Sequence, residues 1–114
     1  GLDMTLRGPQ FPAFRKSIDT YAVLGPWMVT ADEFGDPADV QMHLTVNGEM
    51  RQKASTASMV YDLPKLIEFT SAYYTLEPGD LIYTGTPAGV GPVKPGDIIE
   101  AHIDRIGAMQ VAVR

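Results

Sequence analysis

Two stretches of this chain carry residue types suited to chemistry. In the alternating segment Leu2-Asp3-Met4-Thr5-Leu6-Arg7, a strand period of two puts Asp3, Thr5 and Arg7 on one face and Leu2, Met4 and Leu6 on the other. A carboxylate and a guanidinium then stand side by side. The carboxylate oxygens suit a hard divalent cation, and the planar guanidinium fork suits a substrate carboxylate. The same spacing equally describes the solvated polar face of an edge strand. Lys16 follows Arg15 in the next loop and has the charge to stabilise an enolate or a carboxylate beside such a site, although most lysines are simply solvated.

The second stretch is Thr84-Gly85-Thr86-Pro87-Ala88-Gly89-Val90-Gly91, which follows the aliphatic run Leu81-Ile82-Tyr83. Its glycines and its hydroxyl suit close approach of a ligand to backbone N–H groups. A nucleotide-phosphate loop is rejected, because the Gly-Lys-Ser/Thr ending is missing and Pro87 stands where a helix would start. A glycine-rich turn between strands is the plain alternative. His43 and His102 fall on the polar faces of their strands and read as surface residues rather than general bases. Trp27, Tyr73, Tyr74 and the six methionines read as packing rather than as a cofactor box.

The elements that must position these residues are mainly strands. Val40, Met42, Leu44 and Val46 alternate with Gln41, His43, Thr45 and Asn47, and Asn47-Gly48 is a hairpin signal that returns the chain along Glu49 to Lys53. Thr20 to Thr30 is apolar and broken by Gly25-Pro26, which predicts a buried, kinked strand or a strand and a turn. The one predicted helix starts at an Asp62 cap, tolerates Pro64 in its first turn, and turns Leu66, Ile67 and Thr70 inward. A phrase recurs: Glu77-Pro78-Gly79-Asp80-Leu81-Ile82 and Lys94-Pro95-Gly96-Asp97-Ile98-Ile99. Pro-Gly fits the centre of a type II turn, so each copy should deliver the chain into a strand. Ile98 to Ile103 and Ala108 to Val113 read as two strands around a turn. The expected fold is mainly β with one packed helix.

Bulk properties narrow the function. The 114 residues, 45% hydrophobic and 20% charged, fit one globular domain. A net charge of −5 and the absence of any Lys/Arg run argue against a nucleic-acid partner. Zero cysteines exclude a disulfide framework or thiolate metal site and agree with a reducing cytoplasm. No apolar run approaches the roughly 20 residues that span a bilayer. The chain opens at Gly1 directly into a strand-like alternation, and an N-terminal portion of the domain is expected to be missing.

Several phrases, in order, resemble the fumarylacetoacetate hydrolase family over essentially the whole length. They are Leu2-Asp3-Met4-Thr5-Leu6-Arg7, Lys16-Ser17-Ile18-Asp19-Thr20, Leu24-Gly25-Pro26-Trp27, Val29-Thr30-Ala31-Asp32-Glu33, Val46-Asn47-Gly48-Glu49, Leu76-Glu77-Pro78-Gly79-Asp80 and Thr84 through Gly91. The resemblance implies a mixed β-sandwich roll in which the chain is part of a single catalytic domain. It implies Asp3 as ligand of Mg²⁺ or Mn²⁺, Arg7, Gln10, Lys16, Gly85 and Thr86 as substrate-binding residues, and Lys16 as catalytic. Arg7, Lys16, Gly85 and Thr86 are expected to converge on one pocket with Asp3 at its floor. Two positions depart from the family pattern: Leu2 stands where Asn is usual, and Gly8-Pro9 replaces the Asp that commonly follows the Arg. The family's Glu-x-Glu metal motif belongs to a region N-terminal to this one, and its water-activating His, often with a Glu, to that region or to a mobile lid.

The implied activity is metal-dependent hydrolysis of a C–C bond in a small 1,3-dioxo or 2-oxo acid, through an enolate. Decarboxylase, hydratase or isomerase action on the same scaffold is the alternative, as is a non-catalytic β domain used for assembly or binding. A homodimer formed through the apolar surface of Tyr21 to Trp27 is also implied.

Overall fold

The computed structural model describes residues 1–114. The chain forms a short two-stranded sheet and a four-stranded sheet, with three short α-helices and one 3-10 turn (Thr56–Ser58) between strands. In chain order the elements are β1 (Leu2–Asp3), α1 (Pro12–Lys16), β2 (Ala22–Val23), α2 (Ala31–Phe34), β3 (Gln41–Val46), β4 (Glu49–Ser55), α3 (Leu63–Ser71), β5 (Ile98–Ile103) and β6 (Gly107–Ala112). The large sheet has the order β4-β3-β5-β6, and every ladder in the chain is antiparallel rather than mixed.

The hairpin forms at Asn47-Gly48, where φ is 52° and 81°, the paired positive angles that a two-residue turn requires. Met42, Leu44 and Val46 face the core side while Gln41 and His43 face solvent. The stacked rings of His43 and His102, 4.9 Å apart, lie on that polar face. Leu2, Val46 and Ile99 form the buried centre, with Met4, Val23, Leu44, Val93 and Val111 packed around it. Leu2 thereby joins the small sheet to the large one.

Several local expectations are corrected. The opening strand is two residues long, although Met4 N–H still donates to Tyr21 O at 3.0 Å and Leu6 N–H to Arg15 O at 3.1 Å. Of the two readings of Thr20 to Thr30, the buried, kinked strand is overturned: only Ala22–Val23 is strand, and Leu24, Trp27 and Met28 are largely exposed. Two helices were not anticipated. α1 starts on Pro12 and ends on Arg15 and Lys16, a basic last turn that suits the helix dipole. α2 is a single turn closed by Gly35 at φ 76°.

α3 keeps its expected start, with Lys65 N–H donating to Asp62 Oδ1 at 2.8 Å. Its half-buried residues are Leu63, Leu66 and Thr70, while Ile67 is exposed. The inward stripe is therefore rotated away from Ile67. No helix of the chain is long and apolar enough to cross a membrane.

Candidate functional site

β1 supplies Asp3, and pairing of Leu2 with Val23 and of Asp3 with Ala22 fixes its backbone. The chain then bends at Gly8 to Gln10 and returns through α1. Arg15 locks that return by donating from Nη1 to Gly8 O at 3.3 Å, beside the Leu6–Arg15 backbone bond. The consequence is an ion pair between Lys16 Nζ and Asp3 Oδ2 across thirteen residues of sequence. Both side chains keep partial solvent access. Arg7 and Gln10 are exposed, Arg7 just before the bend and Gln10 within it.

The second group is built on β4. Gly85 has a φ of 108°, a conformation that side chains resist. Thr86 follows with its hydroxyl bound: Gln52 Nε2 donates to Thr86 Oγ1 at 3.0 Å and to Pro87 O at 2.9 Å. Gln52 was not among the residues singled out from the sequence. Its only signal there would have been a polar side chain on the apolar face of a strand, and a bulge not visible in the sequence decides that facing.

One tether runs between the groups. Tyr83 Oη donates to Val23 O at 3.2 Å, and Val23 is the ladder partner of Leu2, the residue before Asp3. The loop bearing Gly85 and Thr86 thus leaves from beside the sheet bearing Asp3. Two surface hollows lie elsewhere, one at the start of α3 and one between the hairpin turn and Lys94, and none of the candidate residues lines either.

Asp97, in the second hollow, is the buried carboxylate of the chain. Its pKa is held below the ordinary carboxylate value chiefly by the Asn47 amide and then by the Lys94 N–H. That arrangement fastens two turns together and lies apart from the candidate residues.

A hard divalent cation takes about six oxygen ligands. Asp3 offers one carboxylate, already engaged by Lys16, and no cluster of three His, Cys, Asp or Glu in the chain is placed to hold a metal. These residues alone do not complete a metal site.

The fumarylacetoacetate (FAA) hydrolase C-terminal family matches residues 1–114. This chain belongs to that family. Over all 114 residues it is 55% identical to the maleylpyruvate hydrolase of Aquipseudomonas alcaligenes, covering 40% of that enzyme. It superposes with a TM-score of 0.92, at 51% identity, on maleylpyruvate hydrolase from Sphingobium sp. SYK-6 in complex with manganese (II) ion and pyruvate, covering 97% of this chain and 41% of that one. The 2-hydroxyhepta-2,4-diene-1,7-dioate isomerase of Mycobacterium marinum aligns at TM-score 0.80 and 45% identity, covering 85% of this chain and 37% of that one. The chain therefore spans about 40% of the length of such relatives.

Proposed function

We propose that this chain forms part of the catalytic domain of a metal-dependent hydrolase that cleaves a C–C bond in a small acylpyruvate-like 2-oxo acid. The observation that carries this reading is the similarity, along the whole chain, to two maleylpyruvate hydrolases. One of them is described with manganese and pyruvate. In the full-length protein Asp3 is one ligand of a bound Mg²⁺ or Mn²⁺, with further ligands from outside this chain. When bound, the ion supplies Lewis acidity toward the substrate's oxygens.

The chain's own residues hold and orient. Lys16, kept beside Asp3 by α1, places an ammonium where negative charge develops on the substrate, which is its catalytic role. Arg7 grips a carboxylate through its fork, Gln10 adds an amide, and Gly85 and Thr86 present backbone and hydroxyl groups. The exposed surface of Leu24 and Trp27 supports a homodimer. The location proposed is the cytoplasm.

The test is metal dependence in the full-length protein. Asp3→Asn removes one anionic ligand, so the Mn²⁺ concentration giving half-maximal activity should rise by about tenfold or more. Arg7→Lys should instead raise KM with little change in metal demand. Parental metal dependence in Asp3→Asn removes Asp3 from the coordination shell. The similarity to an isomerase favours one second reading, isomerisation of a 2-oxo acid on the same scaffold. Pyruvate release from maleylpyruvate separates the two, because isomerisation releases no fragment.

A further inference from the structure

β4 carries one residue more than the strand it faces. Leu44 pairs with Gln52 but Thr45 pairs with Met50, so Arg51 has no residue opposite it. A bulge of this kind re-aims the side chains beside it. Here it sets Gln52 opposite Leu44, on the side of the sheet that Met42, Leu44 and Val46 direct toward the core. A half-buried amide in that position must find partners or lose its hydration uncompensated.

Both partners lie in one loop, at Thr86 and Pro87. A carbonyl oxygen only accepts, so the group facing Pro87 O is the amide NH₂, and the amide orientation follows from that contact. The same nitrogen faces Thr86 Oγ1, so both amide hydrogens are used and the threonine hydroxyl is an acceptor there. Its one hydrogen is left to donate elsewhere. The far end of the loop is pressed on the same bulge: a Cβ at Gly89, where φ is 98°, would lie 1.8 Å from Arg51 O. Two consecutive residues of β4 therefore clamp both ends of the segment from Thr86 to Gly89.

We propose that Gln52 is a positioning residue: it commits the Thr86 oxygen as an acceptor so that the Thr86 proton is presented to an anionic oxygen of the substrate. Gln52 itself touches no substrate. The proposal rests on the reading that Thr86 binds the 2-oxo acid, and the test separates the two.

The probe is pyruvate, titrated calorimetrically into the full-length protein with Mn²⁺ present. Loss of one hydrogen bond to a charged oxygen corresponds to about tenfold in Kd. Thr86→Val and Gln52→Leu should each weaken binding by about that factor, and the double variant should be no weaker than either single one. Thr86→Ser keeps the hydroxyl and should lose less affinity than Thr86→Val.

Gln52→Glu is the second variant, of the same shape, should Gln52→Leu fail to fold. Its carboxylate accepts the hydrogen bond of the Thr86 hydroxyl, so pyruvate binding is weak near neutral pH and recovers relative to the parent as the introduced carboxyl protonates. Recovery with an unchanged urea midpoint of the unliganded variant supports positioning, whereas a midpoint that rises in step with affinity marks a purely structural clamp and overturns it. Parental affinity in Gln52→Leu with weakened Thr86→Val overturns the positioning role and leaves Thr86 a substrate contact. Additive losses overturn it as well. Parental affinity in Thr86→Val removes Thr86 from the site and the proposal with it.

Discussion

The two Pro-Gly turns are nearly identical, yet they lead to opposite fates. In both, the Asp N–H closes the turn on the carbonyl three residues back, Asp80 to Glu77 at 3.0 Å and Asp97 to Lys94 at 3.1 Å. In both, the Asp carboxylate accepts from the first residue's N–H, at 2.8 Å and 3.0 Å. The glycines stand at φ 102° and 93°, as a type II turn demands. Beyond the second turn, β5 is paired on both sides, by β3 and β6. Beyond the first, Leu81 to Thr84 form no strand, and Leu81, Ile82 and Tyr83 are exposed.

The difference teaches that a turn is closed by its own four residues whereas a strand needs a neighbour. Asp97 gains a third partner that Asp80 lacks: Asn47 Nδ2 donates to Asp97 Oδ1 at 2.9 Å, and Asn47 Oδ1 accepts from Ile98 N–H at 2.8 Å. That amide bolts the second turn to the hairpin. The first turn's continuation is held by side chains, through Tyr83 on Val23 and Gln52 on Thr86 and Pro87.

The largest expected effect breaks the first region where its loop meets β4. Gly89→Ala forces a Cβ against Arg51 O in a left-handed conformation, and should destabilise the protein by roughly 3 kcal/mol or more. Urea unfolding measures it. A loss below about 1 kcal/mol would mean that the loop does not lie on the bulge.

Next comes the bolt of the second region. Asn47→Ala deletes two hydrogen bonds and places alanine at φ 52°, for a loss of about 2 kcal/mol. The pH dependence sharpens it. The Asp97 pKa is depressed in the folded state, chiefly by the Asn47 amide. Its contribution is therefore present above the ordinary value of 3.8 and is lost as pH falls below that toward the folded value. Removing Asn47 raises the folded pKa toward ordinary, so the acid limb of stability against pH should flatten. An unchanged acid limb would show that the amide does not hold the carboxylate.

The smallest effect tests the sameness of the turns themselves. A Cβ at Gly79 or at Gly96 meets nothing within 4 Å, so alanine at either meets only the backbone preference, about 1 kcal/mol. Equal losses in Gly79→Ala and Gly96→Ala confirm that the turns are locally equivalent. A marked inequality would show that the sheet beyond the second turn contributes to the turn.

Much of this was legible in the sequence where the cause is local. The Asn47-Gly48 hairpin, the Asp62 cap and both Pro-Gly turns follow from backbone preferences within a few residues, and the ordered phrases carried the family. The helix α1 was missed because five residues show no period, and its Pro12 start resembles an ordinary loop proline. Leu81 to Tyr83 was misjudged because an aliphatic run states a preference for β structure without supplying a partner.

For the candidate site, the sequence by itself determined which residue types are present: Asp3, Arg7, Gln10, Lys16, Gly85 and Thr86, each within its own short phrase. Only the tertiary structure decided that α1 folds back to pair Lys16 with Asp3, that a bulge at Arg51 turns Gln52 onto the apolar face, and that Gln52 then takes both of its contacts from the Thr86 loop. The physical reason is range. Turn and cap preferences act through bonded neighbours, while an ion pair across thirteen residues and an amide contact across thirty-four exist only after packing has closed the intervening chain.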